Sequence, residues 1–429
     1  MKTMVVIVVA DGLRRDCIRP EWMPGLTRLR AESIELLRHH SAVPAVTRVC
    51  AATLATGVPP ALHGLAGNKL CLFENGRLRL FDVGRPDFFD DCTRLQGHVL
   101  ALPTLAERTA RAGGMRIYGN ASPGAAYVQD PKHFGWVFHR AGSFAPGSGM
   151  STNAAAEITP DLEGDARMTR RFIDDLEEER SAVNLLWLGH PDTTEHHHPL
   201  GSPKHLEALM RTDENIAEVF AAASRLRSRG VDVLFIAASD HGHETVSGHV
   251  DVAAELARSG FQREVESGRL VCAPNGTAAL IYLDADDSAV CGRLEALLRN
   301  ATWVSEVIPR RRFGSRGICP APALEFFVSL KRSDPAQNAF GLAGQGLACL
   351  EPDSVSAIGC GQHGGLGRAE QNPFCLVNHP EIAPSVVSTT TDLTFIAPTV
   401  LDFMGLPHED LPGIPIQKLP AHSRLGDAS

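Results

Sequence analysis

No stretch of this 429-residue chain approaches the roughly 18 consecutive apolar residues that a membrane span requires. A secretory signal is not recognisable either. The opening MKTMVVIVVADGL is apolar, but its run ends in Asp11 rather than in a small-residue cleavage site. The ten cysteines are scattered, at 17, 50, 71, 92, 272, 291, 319, 349, 360 and 375, and no two form a Cys-x-x-Cys pair. With no export signal, that spacing predicts reduced thiols and a cytoplasmic location. Positive charge is not in excess: the net charge is −9, which argues against a nucleic-acid surface held by phosphate contacts. Internal repeats, heptads and low-complexity tracts are missing too. What the chain does have is an ordinary globular balance, 44% hydrophobic and 21% charged, which excludes wholesale disorder. It also has 18 histidines, several of them beside aspartates.

A domain usually spans roughly 100–200 residues, so this length admits two or three domains, or one large core carrying an insertion. Met4–Ala10 is a continuous apolar, β-branched run, as expected of a strand buried on both faces. Similar runs occur at 184–189 (NLLWLG) and 232–239 (DVLFIAAS), with a weaker one at 115–120 (MRIYGN). Between them, Leu206, Leu209, Met210, Ile216, Val219 and Phe220 recur near a 3.6 period, and Gly230 marks the stop of that helix. Strands alternating with helices predict the α/β class: a mostly parallel sheet with helices on both faces. The stretch 250–355 differs, with strand candidates at 277–283 and 324–330 around a helix candidate at 288–300. It reads as a smaller α+β cap. The expected division is a catalytic core of 1–250 and 356–429, with a cap at 251–355. Residues 141–165, rich in Gly, Ser, Ala and Pro, read as a surface loop, and 391–405 as a closing helix.

Three aspartates hold equivalent places. Asp11 ends the first strand candidate, Asp192 follows the second, and Asp240 ends the DVLFIAAS run. In an open parallel sheet, ligands bind outside the carboxyl ends of the strands. Three carboxylates converging there would repel one another unless cations neutralise them. Any one of them alone would be an ordinary helix cap or turn residue. Histidines at short spacing change the reading: DTTEH places His196 four residues after Asp192, and SDHG places His241 beside Asp240. Asp with His is a donor set for zinc or manganese rather than calcium. His363 lies in GQHGG, where glycines let backbone approach a ligand closely. His197, His198, His243 and His249 crowd the same motifs and are expected behind the ligands or facing solvent, since two metals cannot use them all. Thr47 follows Pro44 and opens a helical segment. It is either an N-cap or a nucleophile whose hydroxyl sits at a helix N-terminus beside a metal. Asn68 is a turn residue whose amide could donate to an anionic oxygen in the same cleft.

In chain order, ADG around Asp11, VPAVT ending in Thr47, TGVPPALHGLAGN ending in Asn68, PDTTEH, SDHG and GQHGG resemble the alkaline phosphatase superfamily. More closely they resemble its type I phosphodiesterase/nucleotide pyrophosphatase branch, which includes phosphonoacetate hydrolase. The closing DLTFIAPTVLDFMGLP is similar to the branch's C-terminal helix. The resemblance implies a two-metal hydrolase. Asp192, His196 and His363 match the ligands of one metal. Asp11, Asp240 and His241 match those of the other, with Thr47 bridging towards it as the nucleophile. It further implies two zinc ions, with manganese as the other candidate, and a covalent threonyl intermediate. Asn68 matches the residue that holds a phosphoryl oxygen. The implied reaction is cleavage of a phosphodiester or pyrophosphate bond, and the alternative is C–P cleavage of a small phosphonate.

The implied partner is a small-molecule phosphodiester, nucleotide or phosphonate, with neither nucleic acid nor membrane, and a homodimer is compatible with the chain. Phosphonoacetate hydrolases are similar to it in PPALHGLAGN and HHHPLGSP. The paired lysines that would hold a carboxylate are not matched, since YGNASPGAAYVQDPK carries only Lys132; Arg48, Lys69 and Arg116 are the cations near the motifs. Aromatic residues make up only 6%, so a base-stacking slot has few candidates: Phe73, Phe81, Phe88 and Phe89. A sulfatase would need Cys or Ser in a Cys-x-Pro-x-Arg context at the nucleophile, and Thr47-Arg48-Val49 lacks it. A binding protein on a decayed hydrolase fold would have lost ligands, and here all six and the nucleophile are present.

Overall fold

The computed structural model describes residues 2–85, 87–284, 288–351 and 356–423. Its centre is a nine-stranded sheet. Across it lie His422–Ser423, Ser385–Asp392, Ile34–His40, Cys375–Asn378, Asp232–Ala238, Thr3–Ala10, Val183–Leu188, Met115–Gly119 and Trp136–Phe138. The pairings from Asp232–Ala238 to Trp136–Phe138 are all parallel, and Cys375–Asn378 runs against both its neighbours.

Met4–Ala10 is buried throughout because both faces are covered. Val5, Ile7 and Val9 pack with Val49, Cys50 and Leu54 of the helix Thr47–Thr56. Met4, Val6 and Val8 pack on the other face, with Phe172 of Leu162–Glu177 and with Leu209, Ile216 and Val219 of Pro203–Ser228. The expected α/β class is the observed one. Of the periodic residues in the long helix, Met210 is the exception, at 47% exposed.

Register brings the strand ends level. Ala10 pairs with Leu188, and Val9 with Ala238, so Asp11, the 189–192 turn and Asp240 all leave the sheet at one edge.

Between residues 250 and 351 lies a second, antiparallel sheet in the order Leu270–Asn275, Ala278–Leu283, Leu324–Leu330, Val304–Pro309, with the helix Ser288–Asn300 beside it. The sequence pattern marks the two central, buried strands and misses the two edges. Edge strands carry the prolines and charges that break an apolar run, here Pro274, Pro309 and Glu306. One face of this sheet joins the core of the Thr47 helix through Leu280, Tyr282 and Phe327. The other face has its own cluster around Ile281, Leu294 and Val328. The expected end of the cap falls at residues 352–355, outside the described residues.

The closing helix is shorter than the pattern suggests. Asp392 and the threonines before it belong to Ser385–Asp392, and the α-helix is Ile396–Phe403. β-Branched residues favour the pleated strand there. Among the described residues, no helix is long and apolar enough to cross a membrane.

Candidate active site

The three aspartates and their histidines meet at the carboxyl edge of the central sheet. None of the carboxylates acts as a helix cap. Asp11 Oδ2 accepts from the buried Trp187 Nε1 at 3.1 Å, and Asp240 Oδ1 accepts from Gly12 N at 3.1 Å. Asp192 is the first residue of the helix Asp192–His197, and its Oδ1 faces His243 Nε2 at 2.9 Å, His196 Nε2 at 3.3 Å and His363 Nε2 at 3.5 Å. His241 Nε2 lies 3.2 Å from Asp240 Oδ2 and 3.5 Å from Asp11 Oδ1. Two sets of donor atoms, each within 4.8 Å of one another, result: Asp192 with His241, His243 and His363, and Asp11 with Asp240 and His241.

Thr47 is the first helical residue of Thr47–Thr56. The N-cap position belongs to Val46, which makes no side-chain cap. The Thr47 hydroxyl points into the cluster, 3.1 Å from His241 Nε2 and 3.4 Å from Asp11 Oδ1. Asn68 does the capping instead: its Oδ1 accepts from Arg48 N at 3.1 Å, and the residue lines the cleft. Asn68 is held in turn by Asn275 of the second sheet, whose Oδ1 accepts from Asn68 N at 2.7 Å. Nothing local in the sequence marks Asn275, because its role exists only across that tertiary contact.

The electrostatics ask for cations. Burial, then Asp240 and Asp192, push the Asp11 carboxyl well above its ordinary range, and burial raises Asp240. Burial acts on Asp192 in the same direction, but His196 and His243 outweigh it and hold that carboxyl low. Asp240 Oδ2 is buried without a hydrogen bond. Such an oxygen is costly unless a cation balances it. The histidines are pre-set as ligands: His363 Nδ1 lies 2.7 Å from Ala45 O and His241 Nδ1 3.1 Å from Gly242 O, leaving both Nε2 atoms for the cluster. The residues fit divalent transition metals.

The GQHGG loop is braced from behind. Glu370 accepts from Gly365 N at 2.9 Å, Gly367 N at 2.8 Å and Thr277 Oγ1 at 2.5 Å. Beside it, Glu244 is pushed up to about 8 by burial and then by the Glu370 charge. A carboxyl raised on folding stabilises fully below its unfolded value, and that stability is lost as pH rises through about 8. Wild type is therefore expected to lose melting temperature between pH 5 and 9 by more than Glu244→Gln does. Equal slopes in melting curves across that range would refute a protonated Glu244.

Of the surrounding histidines, His197 and His198 are exposed and His249 bonds Ser356 O at 2.8 Å, while His243 is fully buried within the cluster. The cleft in front, about 690 Å³, is lined by Thr47, Asn68, Arg48, Lys69 and Arg140 among others. Arg48 Nε donates to Ser122 Oγ at 2.9 Å, and Arg140 Nη1 donates to Asn120 O at 2.6 Å. Lys69 is occupied by Glu351 at 2.5 Å. Arg116 lies away from the cleft, 3.5 Å from Asp175, and Lys132 pairs with Glu107 at 3.2 Å. Phe81 reaches the cleft, whereas Phe88 and Phe89 pack in the core and Phe73 is 37% exposed.

Residues 5–321 match the type I phosphodiesterase / nucleotide pyrophosphatase family. Among curated proteins nothing matches the chain. Solved structures do: an inactive form of murine ectonucleotide pyrophosphatase / phosphodiesterase 5 in complex with AMP is 15% identical, with a TM-score of 0.70, covering 98% of this chain and 100% of that one. The human counterpart is 17% identical, with a TM-score of 0.67 over the same shares. Phosphonoacetate hydrolase from Sinorhizobium meliloti 1021, in complex with phosphonoacetate, is 16% identical with a TM-score of 0.66, covering 94% of this chain and 96% of that one. At these identities the likeness speaks for the alkaline-phosphatase-like fold, and the family match speaks for the chemistry. The chain belongs to the type I phosphodiesterase / nucleotide pyrophosphatase family and is a hydrolase.

Proposed function

We propose that the chain is a two-metal hydrolase of phosphodiester or pyrophosphate bonds that works through a covalent threonyl intermediate. The observation that carries this reading is the Thr47 hydroxyl, aimed between Asp11 and His241 at the N-terminus of a helix rather than capping it. Asp192, His196 and His363 would hold one ion, and Asp11, Asp240 and His241 the other beside Thr47. Zinc suits this mix of imidazole and carboxylate, with manganese as the other candidate. Two such ions supply positive charge for the attacking and leaving oxygens.

The Thr47 hydroxyl gives up its proton to solvent, its Oγ1 bonds to phosphorus as the bond from phosphorus to the leaving oxygen breaks, and that oxygen takes up a proton from solvent. Water then cleaves the phosphothreonine and restores the hydroxyl. The helix N-terminus favours the incoming anion. Asn68 Nδ2 donates to a phosphoryl oxygen. We assign residues 251–355 as the cap over a core of 1–250 and 356–429, since Asn275 and Glu351 reach the cleft from there.

A C–P hydrolase is the second reading, and the cleft arginines favour it. Arg48 and Arg140 are anchored by Ser122 and Asn120 and have no ion pair among the described residues, so either can take a carboxylate. The leading reading predicts measurable hydrolysis of an aryl or nucleotide diester and weaker hydrolysis of phosphonoacetate at matched enzyme and zinc. Side-by-side assays on bis-p-nitrophenyl phosphate, a dinucleotide, phosphonoacetate and a monoester decide it. Equal or better phosphonoacetate turnover promotes the second reading, and Arg140→Gln should then raise KM for phosphonoacetate about tenfold.

A further inference from the structure

We propose that His243 is a fourth protein ligand of the metal held by Asp192, His196 and His363, an inference that rests on the metal-dependent reading above. Asp192 Oδ1 is the common neighbour of three imidazole nitrogens, at 2.9 Å from His243, 3.3 Å from His196 and 3.5 Å from His363. Bonds of about 2.0–2.2 Å in a tetrahedral site put the ligand atoms roughly 3.3–3.5 Å apart, which is the range these contacts straddle. The three rings form a near-regular triangle, with centroids 5.0, 5.2 and 4.9 Å apart. His243 and His363 each offer a nitrogen within 4.8 Å of Asp192 and of each other, His196 Nε2 reaches the same Asp192 oxygen, and His243 is as much a corner of the ring triangle as the other two.

The His243 ring has a seat made for it. A Cβ at Gly12 would come within 2.8 Å of its Nε2, and one at Gly361 within 2.6 Å of its Nδ1, so both positions must stay bare. The backbone is fixed by Arg14 Nη1, which donates to His243 O at 3.1 Å. Beside the same nitrogen, Glu195 Oε2 lies 3.1 Å from His243 Nε2, and Glu195 Oε1 accepts from His205 Nε2 at 2.8 Å. His205 Nδ1 accepts from Gly201 N at 2.8 Å, so its proton sits on Nε2 and faces the carboxylate. His243, Glu195 and His205 are all fully buried. A carboxylate oxygen left without a hydrogen bond in such a place calls for positive charge nearby, and Glu195 Oε2 is one.

Three imidazoles and one carboxylate make a nitrogen-rich, protein-filled site. Such a site favours zinc, copper or cobalt over manganese and magnesium. The neighbouring set of Asp11, Asp240 and His241 is harder and stays open towards Thr47. The site with four protein groups would then hold its ion more tightly than its neighbour, with both ions still serving the reacting oxygens.

The test loads the protein with cobalt. Four hyperfine-shifted imidazole N–H resonances are expected, from His196, His241, His243 and His363, and chelator competition should show one of two ions weakened at least tenfold in His243→Asn. The visible cobalt band should change with that variant and persist in Glu195→Gln. Two bound ions with only three shifted resonances would overturn His243 as a ligand and leave the two-metal reading standing. A band unchanged in His243→Asn would overturn it as well and make His243 a positioning residue for Asp192. Absence of any bound cobalt would overturn both inferences together. The wild-type count stands even where a variant fails to fold.

Discussion

Replacing Thr47 with alanine is expected to cost more than about a thousandfold in turnover while metal content and fold persist, because covalent catalysis splits one hard displacement into two easier ones. The structure separates this from a trivial loss of stability. A threonine that caps its helix is worth about 1 kcal/mol, and its removal would show in melting. Here the hydroxyl caps nothing: Val46 occupies the N-cap position, Asn68 Oδ1 takes the Arg48 amide, and Thr47 Oγ1 faces His241 and Asp11. Thr47→Ala should therefore melt close to wild type. Thr47→Ser keeps the hydroxyl and should retain partial activity. Diester hydrolysis by Thr47→Ala at near wild-type rate would make water the direct nucleophile and reduce Thr47 to a packing residue.

The candidate ligands were readable in the sequence because each sits within a few residues of the element that positions it. A strand buried on both faces can end in only one place; Asp11 comes directly after one such strand and Asp240 two residues after another. DTTEH carries its own geometry, since residues four apart share a helix face. Groups that act across tertiary contacts were not readable in this way. Asn275 holds Asn68 from an edge strand more than two hundred residues away, and Trp187 supports Asp11 from inside an apolar run that reads as ordinary core. His243 shows the limit most clearly. In the sequence it stands level with His197, His198 and His249, two of which are exposed and one of which bonds backbone. Only packing distinguishes it: Gly12 and Gly361 leave the ring room to reach Asp192.

The purified protein is expected to carry close to two transition-metal ions, and Asp192→Ala and Asp240→Ala should each remove about one. The expectation follows from charge. Asp11, Asp192 and Asp240 are gathered within one buried cluster, with burial and mutual repulsion raising Asp11 and Asp240. Without cations, ionising both of those carboxyls would oppose folding. With cations, the same oxygens become ligands, and binding to the folded state alone adds stability, about 2.7 kcal/mol at a hundredfold excess over Kd. Chelation should therefore lower the melting temperature and abolish turnover together, and zinc should restore both. The two variants differ in an informative way. Asp192 is the hub of three histidines, so its loss should free one ion and leave Thr47 beside the other. Asp240 also holds Gly12 N, so its loss should additionally loosen the turn that carries Asp11. Elemental analysis paired with melting curves checks both. An active protein without bound metal would overturn the mechanism, and melting indifferent to chelation would make the clustered aspartates ordinary turn residues.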